Sequence, residues 1–344
     1  MVKDSGSKLI LLKDLCIGDV LEKINWSFPY AEPVIKPGGL HGDLDAKRAG
    51  AGHVIQVSDS YRMYYWGTGS DGYHHICLAE TSIEDPNGWK ACGSVLGRQP
   101  GTQYNDQGPG FPFVVPRENG SWLMYICGWG MPRPDGRLPN TTGVAFSDDE
   151  GESFYYRHDE PILALDRSWD KEGTGSVFVL RDGEQLQMYY TSIGYYFDKP
   201  EGVETGHGDM IPRIGVGFAV SDDGVAWVKP QDDLMVSPRG FDTKPYEYIS
   251  SKPFLLKEAE GYRMWLHTFG TNYRVRSLVG SDAMNWEWQE SGVEGEFGVG
   301  NSGSFDDKQR CYVSVIKFGD EYRCWYTGNG FGQTGMGYAT GRCG

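Results

Sequence analysis

The sequence predicts an all-β fold, a five-bladed β-propeller of four-stranded antiparallel blades. Three observations carry this. One short phrase occurs five times, as RMYYWGTG (62–69), LMYICGWG (123–130), QMYYTSIG (187–194), RMWLHTFG (263–270) and RCWYTGNG (323–330). Its sulfur residues, Met63, Met124, Met188, Met264 and Cys324, stand 61, 64, 76 and 60 residues apart. A four-stranded blade with one long loop fills such a period. The 344-residue chain also holds 49 glycines and 14% aromatics without a long apolar helical stripe, a composition of short strands and tight turns.

Each repeat reads as four elements. A short β-rich run comes first: HVIQV (53–57), FPFVV (111–115), SVFVL (176–180), KPFLL (252–256) and YVSVI (312–316). A polar turn follows, and the repeated phrase is the second strand of a hairpin. A third strand ends in small residues, as in IGVGFAVS (214–221) and MGYAT (336–340). An Asp-containing turn then leads to an aromatic fourth strand, as in SDDEGESFYY (147–156), SDDGVAWV (221–228) and SDAMNWEW (281–288). Asp-Gly chemistry suits tight turns, so the SDDG phrases are read as structural.

The last repeat ends at GRCG without a fourth strand. WSFPYAEPVI (26–35) matches FYYRHDEPIL (154–163), so residues 26–35 are expected to complete the last blade and close the ring. Residues 1–25 are expected to pack outside it as an extension, with 26–344 as one domain. An aspartate seven residues before the apolar run recurs at Asp106, Asp170 and Asp306, and Phe241-Asp242 resembles it. A group present in most blades is expected to be a structural cap.

Composition narrows the function. A net charge of −15 argues against a nucleic-acid partner. No apolar run reaches the roughly 18 residues of a membrane span. The opening MVKDSGSKLILLKDL has no long apolar region and no small-residue cleavage site. The cysteines are scattered singly, with no zinc spacing. A cytoplasmic protein with reduced packing cysteines, no metal and no cofactor is expected.

IGVGFAVSDDGVAW (214–227) and YTGNGFGQTGMGYAT (326–340) resemble the five-bladed propellers of the family-43 and family-32 glycoside hydrolases and their relatives. The resemblance runs from about residue 26 to the end. It implies carboxylates around a central funnel, at the starts of the first strands: a base or nucleophile, an orienting aspartate and a general acid. Those motifs are not in register here, since Gly110-Phe111-Pro112 stands where Arg-Asp-Pro is expected.

The residues before each first strand and after each second strand share one rim of such a funnel. The carboxylates nearest it are Asp45, with Asp43 next, as base; Asp106 as orienter; and Glu172 or Glu247 as acid. One acid must protonate the leaving oxygen while another carboxylate activates water or attacks. His53 and His267 are alternative acid–base groups. Trp66, Trp129 and Tyr195 suit stacking on sugar rings, and His74 and Asn329 lie on the same exits. Lys252 and Arg310 suggest an anionic sugar or nucleotide sugar. The expected function is a carbohydrate-active enzyme, most simply a glycoside hydrolase. The alternatives are a non-hydrolytic sugar-modifying enzyme of transferase or phosphorylase type, or a non-catalytic carbohydrate-binding propeller.

Overall fold

A computed structural model describes residues 21–118, 120–240 and 246–344. Most of the expected extension (1–25) and the Phe241-Asp242 signature lie outside the described residues. The fold is all-β. Its strands are β1 (Ile24–Ser27), β2 (Arg48–Val57), β3 (Ser60–Thr68), β4 (His74–Ser82), β5 (Lys90–Leu96), β6 (Gly108–Val115), β7 (Trp122–Trp129), β8 (Asn140–Ser147) and β9 (Gly173–Asp182). They continue with β10 (Gln185–Asp198), β11 (Met210–Ser221), β12 (Ile249–Glu258), β13 (Gly261–Phe269), β14 (Tyr273–Gly280), β15 (Glu287–Trp288), β16 (Cys311–Phe318), β17 (Glu321–Thr327) and β18 (Met336–Cys343).

Each copy of the phrase is the middle strand of an antiparallel set: β2-β3-β4, β6-β7-β8, β9-β10-β11, β12-β13-β14 and β16-β17-β18. Its sulfur residue is fully buried in every copy. The aromatic after it reaches the next set. Tyr64, Tyr125 and Tyr189 donate to the carbonyls of Gly151, Gly224 and Ala283, and Trp325 Nε1 donates to Pro86 O. A buried Tyr or Trp needs such a partner, and here the partner is the neighbouring set's outer turn. Asp223 and Asp282 shape those turns by accepting two backbone N–H bonds each.

The first strands begin before the expected runs, because residues upstream of a bulge also pair. The fourth strands are shorter than expected. Tyr155 and Val228 make single bridges, and among the described residues β5, β15 and β1 are the fourth elements that form strands. Short edges of this kind resist pairing with other chains. The expected strand at 26–35 is β1, Ile24–Ser27, which pairs antiparallel with β18. Pro29 and Pro33 end it, and Ile35 rejoins as a bridge to Met336. Both ends of the 192–213 connection are hairpin strand, since β10 runs to Asp198 and β11 starts at Met210. Around the interior β2 packs beside β6, β6 beside β9, β9 beside β12, β12 beside β16, and β16 beside β2.

Candidate functional site

Every first strand breaks register at one equivalent place. In β2, Gly50 pairs with Trp66 and His53 with Tyr64, so Ala51 and Gly52 oppose one residue. The same β-bulge falls at Phe111-Pro112, Gly175-Ser176, Lys252-Pro253 and Tyr312-Val313. Four of its leading residues are left-handed: Ala51 (φ 49), Phe111 (φ 50), Lys252 (φ 44) and Tyr312 (φ 55). This conformation costs a non-glycine residue roughly 1–2 kcal/mol, and such strain concentrates at functional sites. Bulges re-aim side chains. Here Phe111, Lys252 and Tyr312 are turned into one cavity of about 420 Å³.

Neighbouring sets pin these bulges. Thr327 Oγ1 accepts from Ala51 N at 2.8 Å, and Thr191 Oγ1 accepts from Lys252 N at 2.9 Å. His267 Nε2 accepts from Val313 N at 3.1 Å, so its Nδ1 carries the proton and donates to Lys252 O at 2.9 Å. Burial, helped by Lys252, pushes the His267 pKa well below the usual imidazole value.

The cavity wall is aromatic: Trp66, Phe111, Trp129, Tyr273, Tyr312 and Phe331. Trp66 and Trp129 lie 4.8 Å apart between ring centroids, at 41°. Gly110 makes room for this packing, because a Cβ there would meet the Trp129 indole. Trp66 Nε1 donates to His74 Nδ1 at 3.2 Å. Burial lowers the His74 pKa to about 4, so the ring is neutral with its proton on Nε2.

Two cations share this wall. The Arg48 guanidinium lies 4.3 Å over the Trp66 ring, and its buried Nε has no hydrogen-bond partner. Lys252 is 6% exposed, and its Nζ donates to Val313 O at 3.1 Å. Desolvation lowers the Lys252 pKa to about 8. Asn140 adds a buried Oδ1 without a partner. Among the described residues, no carboxylate lines the cavity.

The expected carboxylates are engaged elsewhere. Asp45 is fully buried, accepting from Tyr65 Oη at 2.7 Å and Gly38 N at 3.1 Å. Asp106 accepts from Gly101 N and Gln107 Nε2, with Arg98 at 3.6 Å. Glu172 pairs with Arg133 at 2.7 Å. Glu247 is buried against Arg276 at 2.7 Å and Arg239 at 3.0 Å. Asp43 also stands outside the cavity lining. His53 faces a different cavity, of about 350 Å³, where its Nδ1 accepts from Val114 N at 2.9 Å and its ring stacks on Phe113. Burial lowers the His53 pKa to about 3.

Of the expected binding residues, Trp66, His74, Trp129 and Lys252 line the cavity. Tyr195 does not: it is 50% exposed at an irregularity of β10 and packs on Phe197. His267 holds backbone, as above. Arg310 is ion-paired to Asp306 at 2.7 Å and lies 3.6 Å over Phe28. Asn329 Oδ1 accepts from Lys308 N and Gln309 N, and its Nδ2 donates to Asp307. Asn140 and Tyr273 join the site without having been singled out for it, and Arg48, one of the cations near the expected rim, lines it too. A signal for the bulges was present, since proline inside a central strand marks one and Phe111-Pro112 and Lys252-Pro253 both carry it.

Among the described residues no group of three His, Cys, Asp or Glu side chains is placed to hold a metal. No helix among them is long and apolar enough to cross a membrane.

No family model matches the chain. It is 28% identical over 310 residues to the uncharacterized protein Rv1502 of Mycobacterium tuberculosis, covering 87% of this chain and 94% of that one. Among solved structures, a glycoside hydrolase superposes with a TM-score of 0.70 at 18% identity, over 94% of this chain and 93% of that one. A second comes from the GH130 family of mannoside phosphorylases, which contains glycoside hydrolases that target β-1,2 mannosidic linkages in Candida mannan. It matches with a TM-score of 0.65 at 14% identity, over 94% of each chain. The chain therefore shares the fold of glycoside hydrolase-like propellers.

Proposed function

We propose that the chain is a five-bladed propeller that takes an anionic sugar or sugar derivative in its axial cavity. It acts on that ligand without the carboxylate pair of glycoside hydrolysis. The cyclic packing of β2, β6, β9, β12 and β16 supports the blade count. One observation carries the ligand class: Arg48 and Lys252 share an aromatic cavity that no described carboxylate lines. Desolvated cations without a counter-charge favour an anion, and the indoles offer faces to a sugar ring. Asn140 Oδ1 is an acceptor for a hydroxyl.

Hydrolysis is the second reading, favoured by the likeness to a glycoside hydrolase and to the mannoside phosphorylase family. It needs two carboxylates about 5–9.5 Å apart across a sugar. Two carboxylates, such as Glu172 and Asp106, would both have to leave their partners and turn inward. Assaying wild type, Glu172→Gln and Glu247→Gln on a panel of aryl glycosides separates the readings. The carboxylate-free reading expects no turnover by any of the three. Turnover by wild type that Glu172→Gln abolishes would reverse the choice.

A further inference from the structure

Lys252 is the one bulge residue with an amine. Its placement differs from that of a structural lysine. Lys229, equally buried, is held by Asp166 at 2.9 Å and Asp170 at 2.5 Å. Among the described residues, Lys252 Nζ has no carboxylate partner: it donates to the neutral Val313 carbonyl and lies over the Phe254 ring. Its backbone is fixed on both sides, by Thr191 at the N–H and His267 at the carbonyl, and Pro253 follows. The amine is thus positioned by its neighbours but not neutralised by them.

We propose that the Lys252 amine captures the carbonyl carbon of an open-chain anionic sugar as an imine. This rests on the ligand reading above and deepens it, naming an aldehyde or ketone as the reacting group. The Nζ lone pair forms the C–N bond while the carbonyl π pair moves to oxygen. One proton passes from nitrogen to that oxygen, giving a carbinolamine. The C–O bond then breaks, and the oxygen leaves as water with the second nitrogen proton. Amine and carbonyl thus give imine and water, with no oxidant or reductant. Tyr273 and Tyr312 line the same cavity, and burial raises both their pKa values, Tyr273 to about 12, so they stay protonated as acids for the departing oxygen. Arg48 holds the anionic end.

Desolvation gives the step its reactant. With a pKa near 8, about a tenth of the amine is neutral at pH 7, against roughly one part in 3,000 for a solvated lysine. A desolvated lysine in an apolar pocket is an activated nucleophile.

The test uses the full chain with sodium cyanoborohydride and either glycolaldehyde or ribose 5-phosphate, read by peptide mass mapping. Calorimetry follows ribose 5-phosphate binding in parallel. The expected result is one dominant adduct at Lys252. It should form at least about tenfold faster than at any exposed lysine, rise through pH 8 and level off above it. Glycolaldehyde reads the amine without the anion site, and Arg48→Met should slow only the phosphorylated probe. Adducts spread evenly over surface lysines, or a Lys252 left unlabelled by both probes, would overturn the imine. Selective glycolaldehyde labelling with no ribose 5-phosphate binding would keep the nucleophile and overturn the anionic ligand.

Discussion

The Tyr65 hydroxyl donates to Asp45 at 2.7 Å, and the same relation recurs at a fixed spacing along the chain. Asp170 accepts from Tyr190 at 3.2 Å and Asp306 from Tyr326 at 2.8 Å, each tyrosine standing twenty residues after its aspartate. The tyrosine is the fourth residue of the repeated phrase. Where that residue is Ile126 or Leu266, it has no hydroxyl to offer an aspartate. Asp45 is therefore the first copy of a structural cap.

Tyr65→Phe should lower unfolding free energy by roughly 1–3 kcal/mol, the range for losing a buried hydrogen bond. Denaturant melts check this, with Tyr326→Phe expected to behave alike. Ligand affinity should not change. Unaltered stability with lost activity would make Asp45 a reacting group after all.

Lys252 gives stability a pH signature. Its folded pKa, about 8, lies below the ordinary 10.5, so the unfolded chain binds more protons between those values. Wild type should gain stability relative to Lys252→Met as pH rises through that window. Below pH 8 the burial cost is fully present, so the Met variant should melt higher. Parallel melts from pH 7 to 10.5 read the difference.

His53 acts at the acid end. Its folded pKa, about 3, lies below the usual 6.5. Stability is fully present above 6.5 and falls as pH drops toward 3. His53→Gln can keep an acceptor for Val114 N and does not titrate. It should lose less stability over that window, as acid titration by circular dichroism would show.

Trp66 serves both ligand and cation, being a ring face under Arg48. Trp66→Ala should weaken ligand binding about tenfold, ~1.4 kcal/mol. Arg48→Lys should not restore anion preference, because a point charge lacks the planar stacking of guanidinium. Competition binding with charged and neutral sugars checks both.

The all-β character and the second strand of each set were legible, because burial imposes one pattern on all five phrases. So were Trp66 and Trp129, at the ends of β3 and β7, and His74, at the start of β4, where copies differ. The carboxylate roles were not. Asp45, Glu172 and Glu247 stand close to the expected rim in sequence, but which way a carboxylate turns depends on Tyr65, Arg133 and Arg276, contacts made through the fold. Arg310 suggested a ligand until Asp306 appeared four residues before it as its ion-pair partner. Arg48 was legible only as one of several cations near the rim, with Lys47 and Arg213. It matters because, among the described residues, its Nε has no hydrogen-bond partner and its guanidinium lies over the Trp66 ring.

The central claim is that the axial cavity selects a negative charge on a sugar. Titration calorimetry of wild type and Arg48→Met with ribose, ribose 5-phosphate, glucose and glucuronate tests it directly. The account predicts that wild type binds the charged members at least tenfold tighter than their neutral parents, roughly 1.4 kcal/mol, and that Arg48→Met erases the difference. Equal affinity for charged and neutral sugars in wild type would contradict it.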